Sequence, residues 1–327
     1  MILGISTHKN RWRSGGILSP ILFFSWITLS AAQPTRPITL IVPYPPGGST
    51  DNAARPVAPR LGELLGQPVL IENRGGAGGS IGAAIVAQAR PDGHTLLVFP
   101  TAIMTISPHM MRLPYDPAQA FTLVSLLAMG DGVVAMHPSV PARTIHEFVA
   151  YAKANPGLLR FGSAGNGTIT QMTGEIFAHS AGFQMEHVPY RGSAQALTDL
   201  LGGRVQLQFD PIALPAIKDG RLIGLATTGE SRSAELPELP TLRELGLFGE
   251  GGVSFYGLAG PAGMPPEVVA RLTAALEVVL ALPEVARVMA PVGLTPRFET
   301  GPAFERRVRM DREAFGVAVR RTGAKVE

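Results

Sequence analysis

The stretch Ile38–Asp51 reads ITLIVPYPPGGSTD and decides the fold. Its first five residues are apolar or β-branched, which is typical of a strand buried on both faces of a parallel sheet. A Pro-Pro-Gly-Gly turn follows, in which proline fixes φ and glycine permits a close approach of the backbone to a ligand. Ser49, Thr50 and Asp51 are favoured helix N-caps. The stretch therefore predicts a strand, a glycine loop and a helix N-terminus.

Ligands of open α/β sheets bind where strands end and helices begin, and a helix N-terminus favours an anion. A second glycine loop, RGGAGGS at Arg74–Ser80, follows a second predicted strand at Pro68–Asn73, and a third strand is predicted at His94–Phe99. This alternation predicts a parallel sheet in which the two glycine loops end neighbouring strands. A βα turn without a ligand is the alternative that the first loop alone leaves open.

Nucleotide binding is a second alternative for a glycine-rich loop. However, no G-x-G-x-x-G motif follows the first strand, no acidic residue stands where a ribose-binding carboxylate is expected, and no P-loop G-K-[ST] occurs. These absences disfavour a nucleotide site.

The composition bounds the fold class and the partners. The chain has 327 residues, which suits two lobes, and it is 46% hydrophobic but only 16% charged, so a large core can be buried. The formal net charge is +3 without a Lys/Arg-rich run, which argues against nucleic acid as a partner. The absence of cysteine excludes disulfides and Cys-ligated metals.

The first 32 residues have the pattern of an export signal. Lys9, Arg11 and Arg13 form a basic region, an apolar run spans 17–29, and small residues at 30–32 allow cleavage after Ala32. The apolar run is too short for a comfortable membrane span. We therefore expect a signal peptide at 1–32 and a periplasmic mature protein, with an uncleaved anchor as the alternative.

The middle of the chain repeats the design of its beginning. A short strand leads into the loop FGSAGNGT at Phe161–Thr168, and a helix is predicted at Ile169–Ala181. A further strand is predicted to end at Asp210, and the tail is predicted to be helical. We infer two α/β lobes, the first formed by residues 33–126 and 252–327 and the second by residues 127–251, which would close on a ligand like a hinge.

Residues that could support catalysis are few. Seven histidines are scattered without metal-ligand spacing, and Gly162–Gly165 is one residue short of a G-x-S-x-G elbow. No nucleophile, base and orienting group can be combined from the sequence. We therefore expect binding without turnover, no metal and no cofactor.

A family resemblance rests on several longer motifs that occur in order. They are PYPPGGSTDNAAR (Pro43–Arg55), ENRGGAGGSIG (Glu72–Gly82), ARPDGHTLL (Ala89–Leu97), LPYDP (Leu113–Pro117), HPSVPART (His137–Thr144), FGSAGNGT, VPYRG (Val188–Gly192) and LLGGRVQ (Leu200–Gln206). With these motifs the chain resembles the Bug family, the periplasmic receptors of tripartite tricarboxylate transporters. The resemblance implies a two-lobe, type II periplasmic-binding-protein (Venus flytrap) fold with a ligand cleft between the lobes. It also implies a small carboxylate as the ligand, bound largely by backbone N–H groups and ordered water.

The resemblance also carries over a set of candidate ligand-binding residues. In the first lobe these are Tyr44, Pro46, Gly47, Gly48, Ser49 and Asp51, with Gly76, Ala77 and Gly78 beside them. In the second lobe they are Ser163, Gly165, Asn166, Gly167 and Thr168, with Asp210 capping the cleft as a hydrogen-bond acceptor. Thr168 and Gln171 replace the Ser and His usual in the family. Arg74 and Arg191 lie near the loops, and we interpret both as ion-pair residues of the surface.

These observations predict a monomeric receptor that closes its two lobes over a small carboxylate and passes it to a pair of membrane transporter subunits. An orphan sensor that reports to a membrane kinase would have the same site and differ only in its partner. An exported α/β enzyme acting on a small acid is the alternative from another class.

Overall fold

The computed structural model describes residues 36–247 and 253–324. Within these ranges the strands are β1 (Ile38–Val42), β2 (Val69–Asn73), β3 (Thr95–Pro100), β4 (Phe121–Gly130), β5 (Val133–Met136), β6 (Arg160–Ser163), β7 (Glu186–Pro189), β8 (Leu207–Phe209), β9 (Ile223–Thr227), β10 (Ser254–Pro261) and β11 (Leu294–Glu299). The predicted export signal at 1–32 lies outside the described residues and stays a prediction.

Helices cover the connections between these strands. They are α1 (Ser49–Ala54), α2 (Val57–Leu65), α3 (Ser80–Ala87), α4 (Thr101–Thr105), α5 (Ser107–Met110), α6 (Ile145–Ala154), α7 (Ile169–Ala181), α8 (Ser193–Leu201), α9 (Leu214–Lys218), α10 (Pro266–Leu280), α11 (Pro283–Met289) and α12 (Gly301–Thr322), with 3₁₀ turns at Ala77–Gly79, Pro211–Ala213 and Ala290–Val292. None of the helices that the structure describes combines the length and the apolar character needed to cross a membrane.

Two mixed sheets form the α/β fold. The first has the strand order β11-β4-β10-β3-β1-β2, and the second has the order β7-β6-β8-β5-β9. Strand β1 pairs in parallel with both β2 and β3, which confirms that the two glycine loops end neighbouring strands. Strand β6 likewise pairs in parallel with β7 and β8. Each sheet therefore gathers the carboxyl ends of parallel strands at one edge, where a ligand can be held.

The chain passes between the two sheets twice. Strand β4 belongs to the first sheet up to Gly130, and β5 belongs to the second sheet from Val133. The first crossing thus lies a few residues after the predicted division at residues 126 and 127. The return crossing lies between Thr227 at the end of β9 and Ser254 at the start of β10. The division of the chain into lobes remains our proposal.

Two edge strands were not predicted. Strand β11 contains Pro296 and occupies the edge of the first sheet, and β7 ends at Pro189 on the edge of the second. Proline cannot donate to a neighbouring strand and is therefore tolerated in edge strands. The same prolines weaken the strand pattern in the sequence, so the prediction for the tail contains helices and no strand.

The first sheet is buried on both of its faces. Ile38, Leu40 and Val42 of β1 lie in a core cluster with α2 and α10, whereas Ile41 belongs to a cluster on the opposite face. In that second cluster Phe304 of α12 stacks on Phe99 with ring centroids 6.1 Å apart. Burial on both faces explains the continuous apolar run of β1.

The last helix, α12, packs against both sheets. Phe304 and Val308 near its start belong to a core cluster of the first sheet. Phe315, Ala318 and Val319 near its end belong to the cluster of the second sheet. One continuous helix therefore contributes to the cores of both lobes.

Candidate functional site

The side chain of Asp51 holds the first glycine loop in place by hydrogen bonds. Its carboxylate accepts hydrogen bonds from the N–H of Gly47 (2.8 Å), from Arg55 Nε (2.6 Å) and from Asn73 Nδ2 (3.0 Å). Burial opposes the charge, but the hydrogen bonds from Arg55, Gly47 and Asn73 lower the pKa of Asp51 below its usual value. The side chain of Asp51 is fully buried and holds the loop in shape.

Helix α1 begins without a side-chain cap. Gly48 is the N-cap in an extended conformation (φ −82°, ψ 171°), and its position makes Ser49 and Thr50 the first helical residues. The prediction that Ser49, Thr50 and Asp51 act as capping residues was therefore wrong, because each lies inside the helix. Among the described residues, no acceptor pairs with the N–H groups of Ser49 and Thr50. These two donors are available to a ligand.

The second-lobe loop after β6 uses several of its own donors internally. The N–H of Gly165 donates to Ser163 Oγ (3.1 Å), and the N–H of Gly167 donates to Gln171 Oε1 (2.8 Å). Thr168 caps α7, since its hydroxyl accepts from the N–H of Gln171 (3.4 Å). The donors left without an acceptor in the described part of the chain include the N–H groups of Ile169 and Thr170 at the start of α7.

The N-termini of α1 and α7 meet at a cavity, which we call the first cavity. It is lined by Tyr44, Gly48, Ser49, Thr50, Pro100, Ala102, Ala164, Thr168, Ile169, Thr170, Ser193, Asp210 and Tyr256. None of these lining side chains is cationic.

A second cavity adjoins the first. It is lined by Tyr44, Gly76, Ala77, Gly78, Gly79, Ala164, Gly165, Asn166, Pro189, Tyr190 and Arg191. Tyr44 and Ala164 line both cavities. The hydroxyl of Tyr44 donates to the carbonyl oxygen of Gly78 (2.7 Å). Burial raises the pKa of Tyr44, so this phenol stays protonated.

Asp210 joins the first lobe to the second. Its Oδ1 accepts from Ser49 Oγ (2.6 Å) and from the N–H of Ile212 (3.1 Å), and its Oδ2 accepts from Ser193 Oγ. Ser49 follows the first sheet, whereas Ser193 and Asp210 follow strands of the second. Burial raises the pKa of Asp210 although these hydrogen bonds favour its charge. Asp210 is an acceptor at the end of its strand, as its position in the sequence predicts.

The second glycine loop also touches the second-lobe loop after β6 directly. A Cβ atom built on Gly78 would lie 2.2 Å from the carbonyl oxygen of Asn166, and Ser107 Oγ donates to the carbonyl oxygen of Gly167 (3.2 Å). Together with the contact between Ser49 and Asp210, these short distances show that the loops of the first lobe are closed against the second lobe.

The predicted site residues fall into three groups. The first cavity is lined by Tyr44, Gly48, Ser49, Thr168 and Asp210, and the second by Tyr44, Gly76, Ala77, Gly78, Gly165 and Asn166. Five predicted residues line neither cavity, namely Pro46, Gly47, Asp51, Ser163 and Gly167. These five include residues whose hydrogen bonds hold the ligand-binding loops in shape.

Sequence reasoning missed several residues that line the first cavity. Thr50, Ile169 and Thr170 occupy the first turns of α1 and α7, and Pro100 ends the strand next to β1, so their places along the elements could have indicated them. Tyr256 comes from the antiparallel strand β10, far away in sequence, and no local pattern marks it.

One contact has the form of a nucleophile and a base. Ser163 Oγ lies 2.6 Å from His187 Nε2, and burial lowers the pKa of His187 to about 4, so the imidazole is neutral at neutral pH. Ser163 is completely buried and lines neither cavity. Its hydroxyl instead accepts from the N–H of Gly165, which fixes the loop. In the described ranges no group of three His, Asp or Glu side chains could hold a metal ion.

Known proteins are similar to this chain in sequence and in structure. The family model described as "Tripartite tricarboxylate transporter family receptor" matches residues 53–308. Protein BugT of Bordetella pertussis (strain Tohama I) is 33% identical over 298 residues, which cover 90% of this chain and 91% of BugT.

Two solved structures of Rhodopseudomonas palustris proteins share the fold. Rpa4515 with adipate superposes with a TM-score of 0.84 at 31% identity and covers 90% of this chain and 100% of its own. MatC (Rpa3494) with bound malate has a TM-score of 0.80 at 28% identity and covers 88% of this chain and 99% of its own.

Proposed function

The chain belongs to the Bug family, the receptors of tripartite tricarboxylate transporters, and from this premise we propose that it captures a small carboxylate between its two lobes for uptake. Members of this family are solute-binding receptors that work in the periplasm. The ligand occupies the first cavity, and closure of the second lobe retains it. The loaded receptor then presents the ligand to a membrane transporter.

The observation that carries the proposal is the convergence of unpaired N–H groups on the first cavity. Ser49 and Thr50 supply donors from α1, and Ile169 and Thr170 supply donors from α7. A buried carboxylate is costly unless it is hydrogen-bonded, and each hydrogen bond to a charged group contributes about 1.5–3 kcal/mol. Backbone donors at helix N-termini therefore suit a carboxylate without requiring a cationic side chain.

The ligands of two similar structures support the same ligand class. Rpa4515 was solved with adipate and MatC with malate, and both ligands are small dicarboxylates. The lining of the first cavity supports binding without turnover. Ser49 and Ser193 both donate to Asp210, and no histidine lines the cavity to serve as a base.

A thermal-shift screen of the purified protein against mono-, di- and tricarboxylates tests the proposal. Binding to the native state alone raises the apparent stability, by ~2.7 kcal/mol at a hundredfold excess over Kd. We expect a rise in Tm with at least one acid and full recovery of that acid by chromatography. No shift with any acid, from protein that mass spectrometry shows to be ligand-free, would refute carboxylate binding, and consumption of the acid would refute binding without turnover.

Substitution of Gly48 locates the site. A Cβ on Gly48 would lie 3.9 Å from the backbone nitrogen of Ser193, an ordinary contact, and its φ of −82° suits any residue. We expect Gly48→Ala to bind the acid normally, whereas Gly48→Leu fills the space between α1 and Ser193 and abolishes binding without loss of the fold. Equal affinities of the two variants, measured by calorimetry, would contradict this placement.

A further inference from the structure

We propose that the second cavity is a second anion subsite, in which Arg191 binds the distal carboxylate of an extended dicarboxylate. This inference rests on the proposed function of the first cavity and specifies its ligand class. It replaces our interpretation of Arg191 as an ion-pair residue of the surface. The first cavity is lined by no cationic side chain, whereas Arg191 lines the second.

The guanidinium of Arg191 is free to bind an anion. In the part of the chain that the structure describes, no carboxylate pairs with it, and its own backbone N–H donates to Gln195 Oε1 (3.2 Å). Asp199, the acid nearest to it along α8, already accepts from Arg204 Nη1 (2.7 Å) and from the hydroxyl of Tyr190 (2.7 Å). The interpretation as an ion-pair residue therefore lacks a partner, whereas Arg74 has one in Glu72.

The backbone holds Arg191 beside the glycine loops. The N–H of Tyr190 donates to the carbonyl oxygen of Ser163 (3.1 Å), which ties this segment to the end of β6. A Cβ on Gly165 would lie 2.9 Å from the carbonyl oxygen of Tyr190, so glycine permits this close approach. The position of Arg191 at the second cavity thus follows from fixed backbone contacts.

The loop Gly76–Gly79, which also lines the second cavity, offers backbone donors. Four consecutive residues, Gly76 to Gly79, have positive φ, and Ala77 among them (φ 46°) is the one non-glycine residue with positive φ in the described ranges. Glycine adopts positive φ without strain, so only Ala77 is held in a disfavoured conformation, of a kind that concentrates at ligand sites. No acceptor within the described residues takes the N–H groups of Ala77 and Gly78. A carboxylate in this cavity would therefore meet a guanidinium and backbone N–H donors.

The two cavities share two lining residues, Tyr44 and Ala164. In our proposal one molecule reaches past these residues from the N-termini of α1 and α7 into the second cavity. Pro100, Ala102, Ile169 and the tyrosine rings give the first cavity an apolar wall. A ligand with a carboxylate at each end and a methylene chain between them matches this order of hydrogen-bond donors, apolar wall and guanidinium.

Matched acids with and without the second carboxylate test the subsite. The probes are succinate, adipate and suberate, each paired with the monocarboxylate of equal carbon number, butyrate, hexanoate and octanoate. Affinities are measured by calorimetry or by competition for the wild type and for Arg191→Gln. We expect the best diacid to lose about tenfold in affinity in Arg191→Gln while its monocarboxylate partner is unchanged, since a charge-assisted hydrogen bond is lost only for the diacid.

Arg243→Gln is the matched control. Arg243 is an exposed arginine of the same lobe that forms no ion pair within the described residues and lines neither cavity. Its substitution changes the net charge equally and should alter no affinity. An equal loss for diacid and monoacid in Arg191→Gln, or no loss for any diacid, would overturn the subsite while leaving carboxylate binding intact. Failure of the wild type to bind every acid would overturn the proposed function and the subsite together.

Discussion

Substitution of Gly78 by alanine should block closure of the two lobes. Gly78 has a φ of +63°, and a Cβ at this position would lie 2.2 Å from the carbonyl oxygen of Asn166 on the opposite loop. An ordinary contact of a Cβ is 3.4–4 Å, so the overlap exceeds 1 Å. Because the obstructing atom belongs to the backbone, relief requires the two loops to separate or the turn at Ala77–Gly79 to deform.

The size of the effect follows from the two costs of the added methyl group. The left-handed conformation costs roughly 1–2 kcal/mol for alanine and destabilises the protein whether or not the lobes are closed. The steric overlap is present only in the closed arrangement and costs ~1–3 kcal/mol, as overpacking does in protein cores. A penalty on the binding-competent state alone lowers the apparent affinity by ~5-fold to ~150-fold.

Gly220→Ala separates the two costs. Gly220 has a similar φ of +71°, but no atom lies within 4 Å of a Cβ built there. Both variants should lose similar amounts of stability in urea unfolding. Only Gly78→Ala should lose affinity for adipate in calorimetry. When adipate is added, only this variant should keep the larger radius of gyration of the open form, as measured by small-angle scattering. Equal affinities of the two variants would refute closure through this contact.

Two further predictions concern Asp210 and His187. Ser49→Ala removes the hydroxyl that donates to Asp210 across the lobes, so the affinity for a carboxylate should fall about tenfold in calorimetry; an unchanged affinity would show that the contact does not stabilise the closed form. Burial lowers the pKa of His187 to about 4, and an unfolded histidine titrates near 6.5, so the folded state binds fewer protons between these values. The contribution of His187 to the free energy of unfolding is therefore greatest above pH 6.5 and should fall toward pH 4, by at most ~1.4 kcal/mol per pH unit. His187→Gln should flatten this pH dependence, which urea titrations at several pH values measure. Parallel profiles of the two proteins would contradict a neutral, buried imidazole.

Local patterns mark the ends of two helices in the second lobe. Thr144 and Glu147 have the T-x-x-E spacing of a capping box, and both reciprocal hydrogen bonds are in place at the start of α6. Helix α7 spans the predicted residues because Thr168 caps its start and Gly182, with φ of 73°, ends it. Capping residues and left-handed glycines act within a few residues of the chain, and therefore a single sequence reveals them.

The parts that the sequence could not predict depend on contacts between distant segments. Whether Asp51 faces the ligand or the loop depends on Arg55 and on Asn73 of the neighbouring strand, and the structure turns it toward the loop. Tyr256 reaches the first cavity from β10, which enters the sheet antiparallel between β3 and β4. Such placements follow from the order of strands in a sheet, which no short stretch of residues determines.

The resemblance to the Bug family predicted the fold and the family correctly, whereas the individual ligand-binding residues stay predictions. Gly48, Ser49 and Thr168 have places in the lining of the first cavity. In contrast, the N–H of Gly167 donates to the side chain of Gln171, the residue that replaces the family's usual histidine. Motif position alone identifies the right loops, but hydrogen bonding within each loop decides which donors remain for a ligand.

The most direct test of carboxylate capture is a calorimetric titration of the purified, ligand-free protein with adipate and with hexane-1,6-diol, its uncharged analogue. Because the N–H groups of Ser49, Thr50, Ile169 and Thr170 act on a carboxylate, we predict one adipate bound per chain, no binding of the diol, and complete recovery of adipate afterwards. Binding of the diol with equal affinity, or of neither compound when every other acid of the screen also fails, would contradict the account.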